Sequence, residues 1–165
     1  MLPLRAVPTD PADPAADRAA ALARYAALVA ADEAVPDATR SRLFEPDGPA
    51  TATIVLWHGF TNAPSQFVAV GEQLRDAGFR VLLPRMPYHG LPDVMNRELA
   101  RLTAQELVAQ VQACTDIAAG FGDPVWVIGL SAGATLAAWA AATRTEVTRL
   151  VLAAPLVAPV GAPMP

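Results

Sequence analysis

Residues 124–143 restrict what this chain can fold into more than any other stretch does. They begin with a short run of valine, tryptophan and isoleucine, pass through Gly-Leu-Ser-Ala-Gly at 129–133, and continue as an alanine-rich segment. The first part has β propensity and the last has helical propensity, so the order predicts a strand, a sharp turn and a helix. Strand and helix nearly touch at such a turn, and Gly129 and Gly133 supply the small residues that this contact needs. The turn would hold the hydroxyl of Ser131 above the end of a buried sheet.

The rest of the chain continues this alternation of apolar strands and amphipathic helices. The alternation predicts an α/β fold in which a parallel sheet has helices on both faces and right-handed crossovers. The predicted strands are 51–57, 79–83 and 148–153, with a short edge strand at 41–44. The predicted helices are 15–31, a second from the start signals at 62–65 to Gly78, and a third from a capping box of Thr103 and Glu106 to Gly120.

Length and composition exclude several classes of protein. A chain of 165 residues is long enough for one domain with its own core, and its net charge of -4 argues against nucleic-acid binding. The single cysteine, Cys114, excludes a disulfide framework within the chain and is predicted to be a small core residue. Neither a signal peptide nor an uncharged run of membrane-spanning length is evident, so we expect a cytoplasmic protein without a transmembrane segment. The sequence also indicates no metal and no organic cofactor.

The domain organisation predicted from the sequence has two parts. Residues 1–50 are an N-terminal arm, a packing helix and a loop, and 1–13 are expected to be disordered or extended because proline and aspartate are frequent there. Residues 51–165 form the main α/β body.

Three predicted strand ends carry residues with chemical potential. His58, Gly59 and Phe60 follow the first strand, a Pro-Tyr-His-Gly loop with His89 follows the second, and the turn with Ser131 follows the third. Ligands of open parallel sheets bind beyond the carboxyl ends of the strands. A serine nucleophile needs donors for the oxyanion that forms on the attacked carbonyl, and the backbone N–H groups of Phe60 and Ala132 are the candidates. A phosphate-binding turn is the alternative for Ser131, but neither of the common phosphate-loop glycine patterns occurs.

The segments WHGFTNAPSQF, VLLPRMPYHG and VIGLSAGATLA resemble those of α/β-hydrolase-fold serine hydrolases, especially small carboxylesterases and monoacylglycerol-lipase-like enzymes. The resemblance covers about 51–155. It implies that Ser131 is the nucleophile, that Phe60 and Ala132 form the oxyanion hole, and that Gly59 lets the loop approach a small-molecule ester substrate with an apolar part. We expect an apolar acyl pocket from five side chains: Phe60, Phe67, Pro87, Tyr88 and Leu91.

The sequence departs from this family after Ser131. There the family has an Asp or Glu and then a His, whereas this sequence has only Glu146 and no histidine. We therefore expect the N-terminal part of a longer hydrolase, an incomplete fold that lacks the lid and the last strands. His58 is predicted to hold the oxyanion loop by hydrogen bonds, and His89 is the less favoured candidate for the missing base.

Two other functions remain open from the sequence. A catalytically inactive binding or assembly module would form a homo-oligomer through an exposed sheet edge. An acyltransferase, thioesterase or perhydrolase would use the same fold and the same serine with a different acceptor.

Overall fold

A five-stranded sheet organises the computed structural model, which describes residues 10–32, 35–93 and 97–156. The strands lie in the order β1-β3-β2-β4-β5. Their bounds are β1 Arg42–Phe44, β2 Thr53–Trp57, β3 Arg80–Leu83, β4 Val125–Leu130 and β5 Val147–Ala153. The α-helices are α1 Arg18–Ala30, α2 Val68–Asp76, α3 Ala104–Ala119 and α4 Ala132–Thr143. Short 3-10 helices cover Asp37–Thr39, Pro64–Phe67 and Glu98–Arg101.

The predicted α/β class is confirmed, but the sheet is mixed. Strands β2 to β5 are parallel, as predicted, whereas β1 is antiparallel to β3, with Arg42 opposite Leu83 and Phe44 opposite Val81. The direction of this short edge strand was not predicted from the sequence. Ser41, directly before β1, is hydrogen-bonded to Arg85, two residues after the end of β3. The chain therefore enters β1 at the carboxyl end of β3 and runs the opposite way.

Two apolar clusters show that helices cover both faces of the sheet. One face packs against α1, α3 and α4, and the other packs against α2. Cys114 is fully buried in the first cluster, where burial raises the pKa of its thiol. The first cluster includes Val55, Trp57, Leu82, Val125 and Val127 of the strands, and the second includes Ile54, Leu56, Val81 and Leu83.

The N-terminal segment is attached to α3 from residue 10 onward. The side chain of Gln112 donates to the carbonyl of Asp10 at 2.6 Å, and the backbone N–H of Asp13 donates to Asp116 Oδ1 at 3.3 Å. Residues 10 and 13 are therefore bound to α3, while 1–9 of the predicted arm lie outside the described residues. Among the described helices, none combines the length and apolar character that crossing a membrane requires.

Buried ion pairs stabilise the opposite end of the sheet from the turn at Ser131. Arg80, at the start of β3, pairs with Asp123, which precedes β4. Arg144, directly after α4, pairs with Asp116 of α3, and both side chains are largely buried. Each buried charge is thus compensated by an opposite charge, without which burial would be costly.

Candidate active site

Ser131 joins β4 to α4 in a backbone conformation that residues other than glycine rarely adopt. Its φ is 55° and its ψ is -119°, outside the broad allowed regions for residues other than glycine. Backbone hydrogen bonds hold this strained residue. Its N–H donates to Ala153 O at 2.9 Å, and its carbonyl accepts from the N–H groups of Ala134 at 3.0 Å and Leu156 at 3.1 Å. Such strain persists only where the surroundings enforce it, and it clusters at functional sites.

The two glycines of the turn are required by backbone packing. A Cβ on Gly129 would lie 2.1 Å from the carbonyl oxygen of Gly133, and a Cβ on Gly133 would lie 2.4 Å from the carbonyl oxygens of Trp57 and His58. These contacts are far inside van der Waals distance and involve backbone atoms that cannot rotate away. The first turn of α4 therefore packs directly against the end of β2, and no side chain fits between them.

The loop after β2 lies next to Ser131. A Cβ on Gly59 would be 3.9 Å from Ser131 Cβ, and the N–H of Gly59 donates to Gln66 Oε1 at 2.9 Å. The next residue, Phe60, is partly exposed. Ala132 is the first residue of α4, and the first N–H groups of a helix have no partner within the helix and favour negative charge. The structure thus brings the predicted nucleophile and both predicted donor residues into one region.

His58 connects the loop after β2 with the loop after β3. It is 1% exposed, its Nδ1 lies 2.9 Å from Gly59 O, and its Nε2 accepts from the N–H of Met86 at 3.1 Å. Because Nε2 accepts, the proton of the neutral ring is on Nδ1. Burial is the main cause that lowers the pKa of His58 to about 4. The ring is thus a neutral link between two backbones.

His89 is packed against the same loop. It is 2% exposed, its Nδ1 lies 2.8 Å from Pro87 O, and its ring contacts those of His58 and Phe60 at centroid distances of 5.2 and 5.3 Å. Burial lowers its pKa, and the hydrogen bond to Pro87 partly opposes this effect. Its Nε2 is buried without a hydrogen-bond partner among the described residues. Through these contacts His89 packs between the loop after β2 and the loop after β3.

A cavity of about 240 Å³ opens beside Phe60. Its lining comes from the loop at 60–65, from the loop at 88–93, and from Thr39 and Leu99. Of the side chains predicted to form an apolar pocket, Phe60, Tyr88 and Leu91 line this cavity. Phe67 does not, because it packs against the cluster of Ile54, Leu56, Val81 and Leu83 within the core.

Three residues that hold the loop after β3 were not predicted from the sequence: Asp32, Ser41 and Arg85. Arg85 binds Asp32 across 53 positions of the chain and Ser41 across 44. No local pattern marks such a pairing. The one signal was the lone arginine after the β3 run, in a stretch that is otherwise apolar up to Tyr88.

Sequence comparison matches the strands and loops that form this site. The sequence profile of the alpha/beta hydrolase family matches residues 54–165. The thermostable monoacylglycerol lipase of Bacillus sp. (strain H-257) is 30% identical over 104 residues, which are 59% of this chain and 38% of that protein. The chain thus spans well under half the length of this relative.

Structural comparison gives the same fold. A structure of the metagenome-derived lipolytic enzymes LipS and LipT superposes with a TM-score of 0.57 and 25% identity, over 71% of this chain and 46% of that chain. MenH from S. aureus superposes with a TM-score of 0.54 and 17% identity, over 69% of this chain and 41% of that chain, which shows a shared fold alone. Since the family profile covers β3 to β5, nearly all of β2 and both loops around Ser131, this chain belongs to the alpha/beta hydrolase family.

Proposed function

We propose that this protein hydrolyses carboxylic esters with Ser131 as the nucleophile. The strained conformation of Ser131, at a φ of 55° beside Gly59 and the first turn of α4, is the observation that carries the proposal. A strand-to-helix turn of this kind presents a serine oxygen at the top of the sheet. Its hydrogen bonds to β5 and α4 hold this conformation, so the proposed nucleophile is preorganised.

In the proposed reaction, Ser131 Oγ forms a bond to the ester carbonyl carbon while a general base takes the hydroxyl proton. The negative charge that develops on the carbonyl oxygen is stabilised by the N–H groups of Phe60 and Ala132. The intermediate then breaks its bond to the alcohol, which leaves with the proton, and water releases the acid from the serine. Because His58 and His89 are both engaged in loop contacts, the base in this proposal is another group.

The substrate proposed for this site has an apolar part. Phe60, Tyr88 and Leu91 offer apolar surface in the cavity beside the proposed oxyanion donor. The similarity to a monoacylglycerol lipase also supports a substrate with an apolar part. Transfer of the acyl group to an alcohol or thiol would use the same serine, and product analysis with competing acceptors distinguishes transfer from hydrolysis.

Labelling with a fluorophosphonate probe, which reacts with activated serines, tests the role of Ser131. We expect the wild type and Ser65→Ala to be labelled and Ser131→Ala not to be, because Ser65 lies on the cavity wall without the strained turn. Equal labelling of wild type and Ser131→Ala, or no labelling of either, would contradict the proposal.

A second candidate function is assembly, and the exposed edge of the sheet favours it. Among the described strands β5 pairs only with β4, and three consecutive apolar residues on it, Leu150, Val151 and Leu152, are exposed. An unpaired strand with apolar side chains is a surface on which another chain can bind.

A further inference from the structure

Asp32, just after α1, is a buried carboxylate with two defined partners. Its side chain is 3% exposed. Oδ1 accepts from Arg85 Nε at 2.7 Å, and Oδ2 accepts from the backbone N–H of Ser41 at 2.8 Å. A buried carboxylate is tolerated only when it is paired and hydrogen-bonded, so this contact between the N-terminal segment and the loop after β3 is strongly specified.

Arg85 extends the contact from Asp32 across the loop that follows β3. Its backbone N–H donates to Ser41 Oγ at 2.9 Å, and its Nη1 donates to the carbonyl of His89 at 3.0 Å. One guanidinium thus joins the carboxylate of Asp32 to the far end of the loop at 85–89. The rigid donor fork of arginine is suited to holding two acceptors in a fixed relation.

The loop that Arg85 holds is strained. Tyr88 has a φ of 63°, which residues other than glycine rarely adopt. Two residues later the φ of 68° falls on Gly90, which adopts it without strain. Thr39, also in the N-terminal segment, donates through Oγ1 to Gly90 O at 2.8 Å and leaves no room for a Cβ at Gly90. Strained backbone of this kind requires external contacts to persist, and Asp32, Thr39 and Ser41 supply them.

The strained loop in turn contacts the loop that carries Phe60. Met86 N–H donates to His58 Nε2 at 3.1 Å. The rings of His89 and Phe60 pack edge to face. A continuous series of contacts therefore runs from Asp32 through Arg85 and the 85–89 loop to Phe60. The family profile begins at residue 54, so the first members of the series lie outside the matched region.

We infer that Asp32 and Arg85 are positioning residues for the loop after β2, which carries Phe60. Through these two residues the N-terminal segment of this chain sets the geometry of the site. Their effect on catalysis rests on the function proposed above, whereas their effect on the geometry of the loop does not.

Histidine NMR offers a direct readout, because the sequence has two histidines and both lie in the series. We expect Asp32→Asn to shift or broaden the ring signals of His89 and His58. The matched control is Asp123→Asn, which breaks the pair with Arg80 at the start of β3, at the opposite end of the sheet from Ser131. Both variants should be less stable than the wild type, but the control should keep wild-type histidine signals. A folded Asp32→Asn protein with unchanged signals would overturn the inference.

Ser41→Ala removes one hydroxyl of the same network and keeps both charges, so it provides the test if Asp32→Asn does not fold. A shift of the His89 signal is expected here too, and an unchanged signal counts against the inference. Labelling of Ser131 should slow about 10-fold in Asp32→Asn and stay at the wild-type rate in Asp123→Asn. Histidine shifts without any labelling of the wild type would contradict the proposed hydrolase but support the positioning role.

Discussion

At the scale of single residues, the site depends on backbone contacts that exclude side chains. The left-handed conformation of Ser131 is unfavourable by itself, and hydrogen bonds from β5 and α4 maintain it. Gly129 and Gly133 are needed for a separate reason, because the carbonyl groups of adjacent elements occupy the space of their side chains. The turn therefore tolerates almost no change of shape.

Gly133→Ala tests this packing. The new methyl group would lie 2.4 Å from two backbone oxygens, so we expect a loss of about 3 kcal/mol in the free energy of unfolding, measured by urea titration. Gly48→Ala is the control, since a Cβ there has no neighbour within 4 Å. We expect it to change stability by less than about 0.5 kcal/mol. Equal stability of the two variants would show that α4 can move away from β2.

At the scale of elements, the loops after β2 and β3 behave as one unit because His58 links them. The link needs a neutral ring, since Nε2 accepts a hydrogen bond from Met86 N–H and a protonated ring cannot accept one. Burial is the main reason that the fold disfavours protonation of this histidine, and it lowers the pKa of His58 to about 4.

Acid should weaken this link over a defined pH range. In the unfolded chain His58 takes up a proton near pH 6.5, whereas in the fold it does so only near pH 4, so stability falls as the pH drops between these values. Each pKa unit corresponds to about 1.4 kcal/mol, so the loss attributable to His58 is roughly 3 kcal/mol. His58→Gln retains an acceptor for Met86 N–H without the titration.

The measurement is the free energy of unfolding of wild type and His58→Gln from pH 7 to pH 4. We expect the variant to have the shallower dependence, with some decline left because burial also lowers the pKa of His89. Parallel curves for the two proteins would mean that His58 does not carry the acid sensitivity.

Local patterns in the sequence predict most of these elements and little of what holds them together. The apolar run before Gly129 predicts a strand, and the capping box of Thr103 and Glu106 predicts a helix. Both elements are present. The direction of β1 and the pairing of Asp32 with Arg85 depend on residues far apart in the chain. Propensity and periodicity describe neighbours within a few positions, so they do not identify the partners of such long-range pairings.

At the scale of the whole molecule, the sheet is covered unevenly. Strands β2 and β3 are buried on both faces, whereas β5 is exposed along most of its length. Val151 at its centre is 52% exposed. An edge of this kind with unpaired backbone groups favours association with another strand.

Self-association through β5 is the outcome expected if this edge mediates assembly. Val151→Lys should then shift the protein from dimer to monomer in analytical ultracentrifugation, because a charged side chain opposes strand pairing at an edge. Val70→Lys is the control, as Val70 on α2 is 41% exposed but lies away from the edge. A wild type that remains monomeric at high concentration, or two variants that behave alike, would count against the assembly function.

The proposed oxyanion donors, at Phe60 and Ala132, are backbone N–H groups and not side chains. Any amino acid except proline carries the same donor, so relatives can differ at both positions and still share the chemistry. Gly129 and Gly133 bear no reacting atom, yet their surroundings leave no alternative residue. Sequence identity at the two glycines therefore reflects where backbones touch, whereas at Ser131 it would reflect the side chain proposed as the nucleophile.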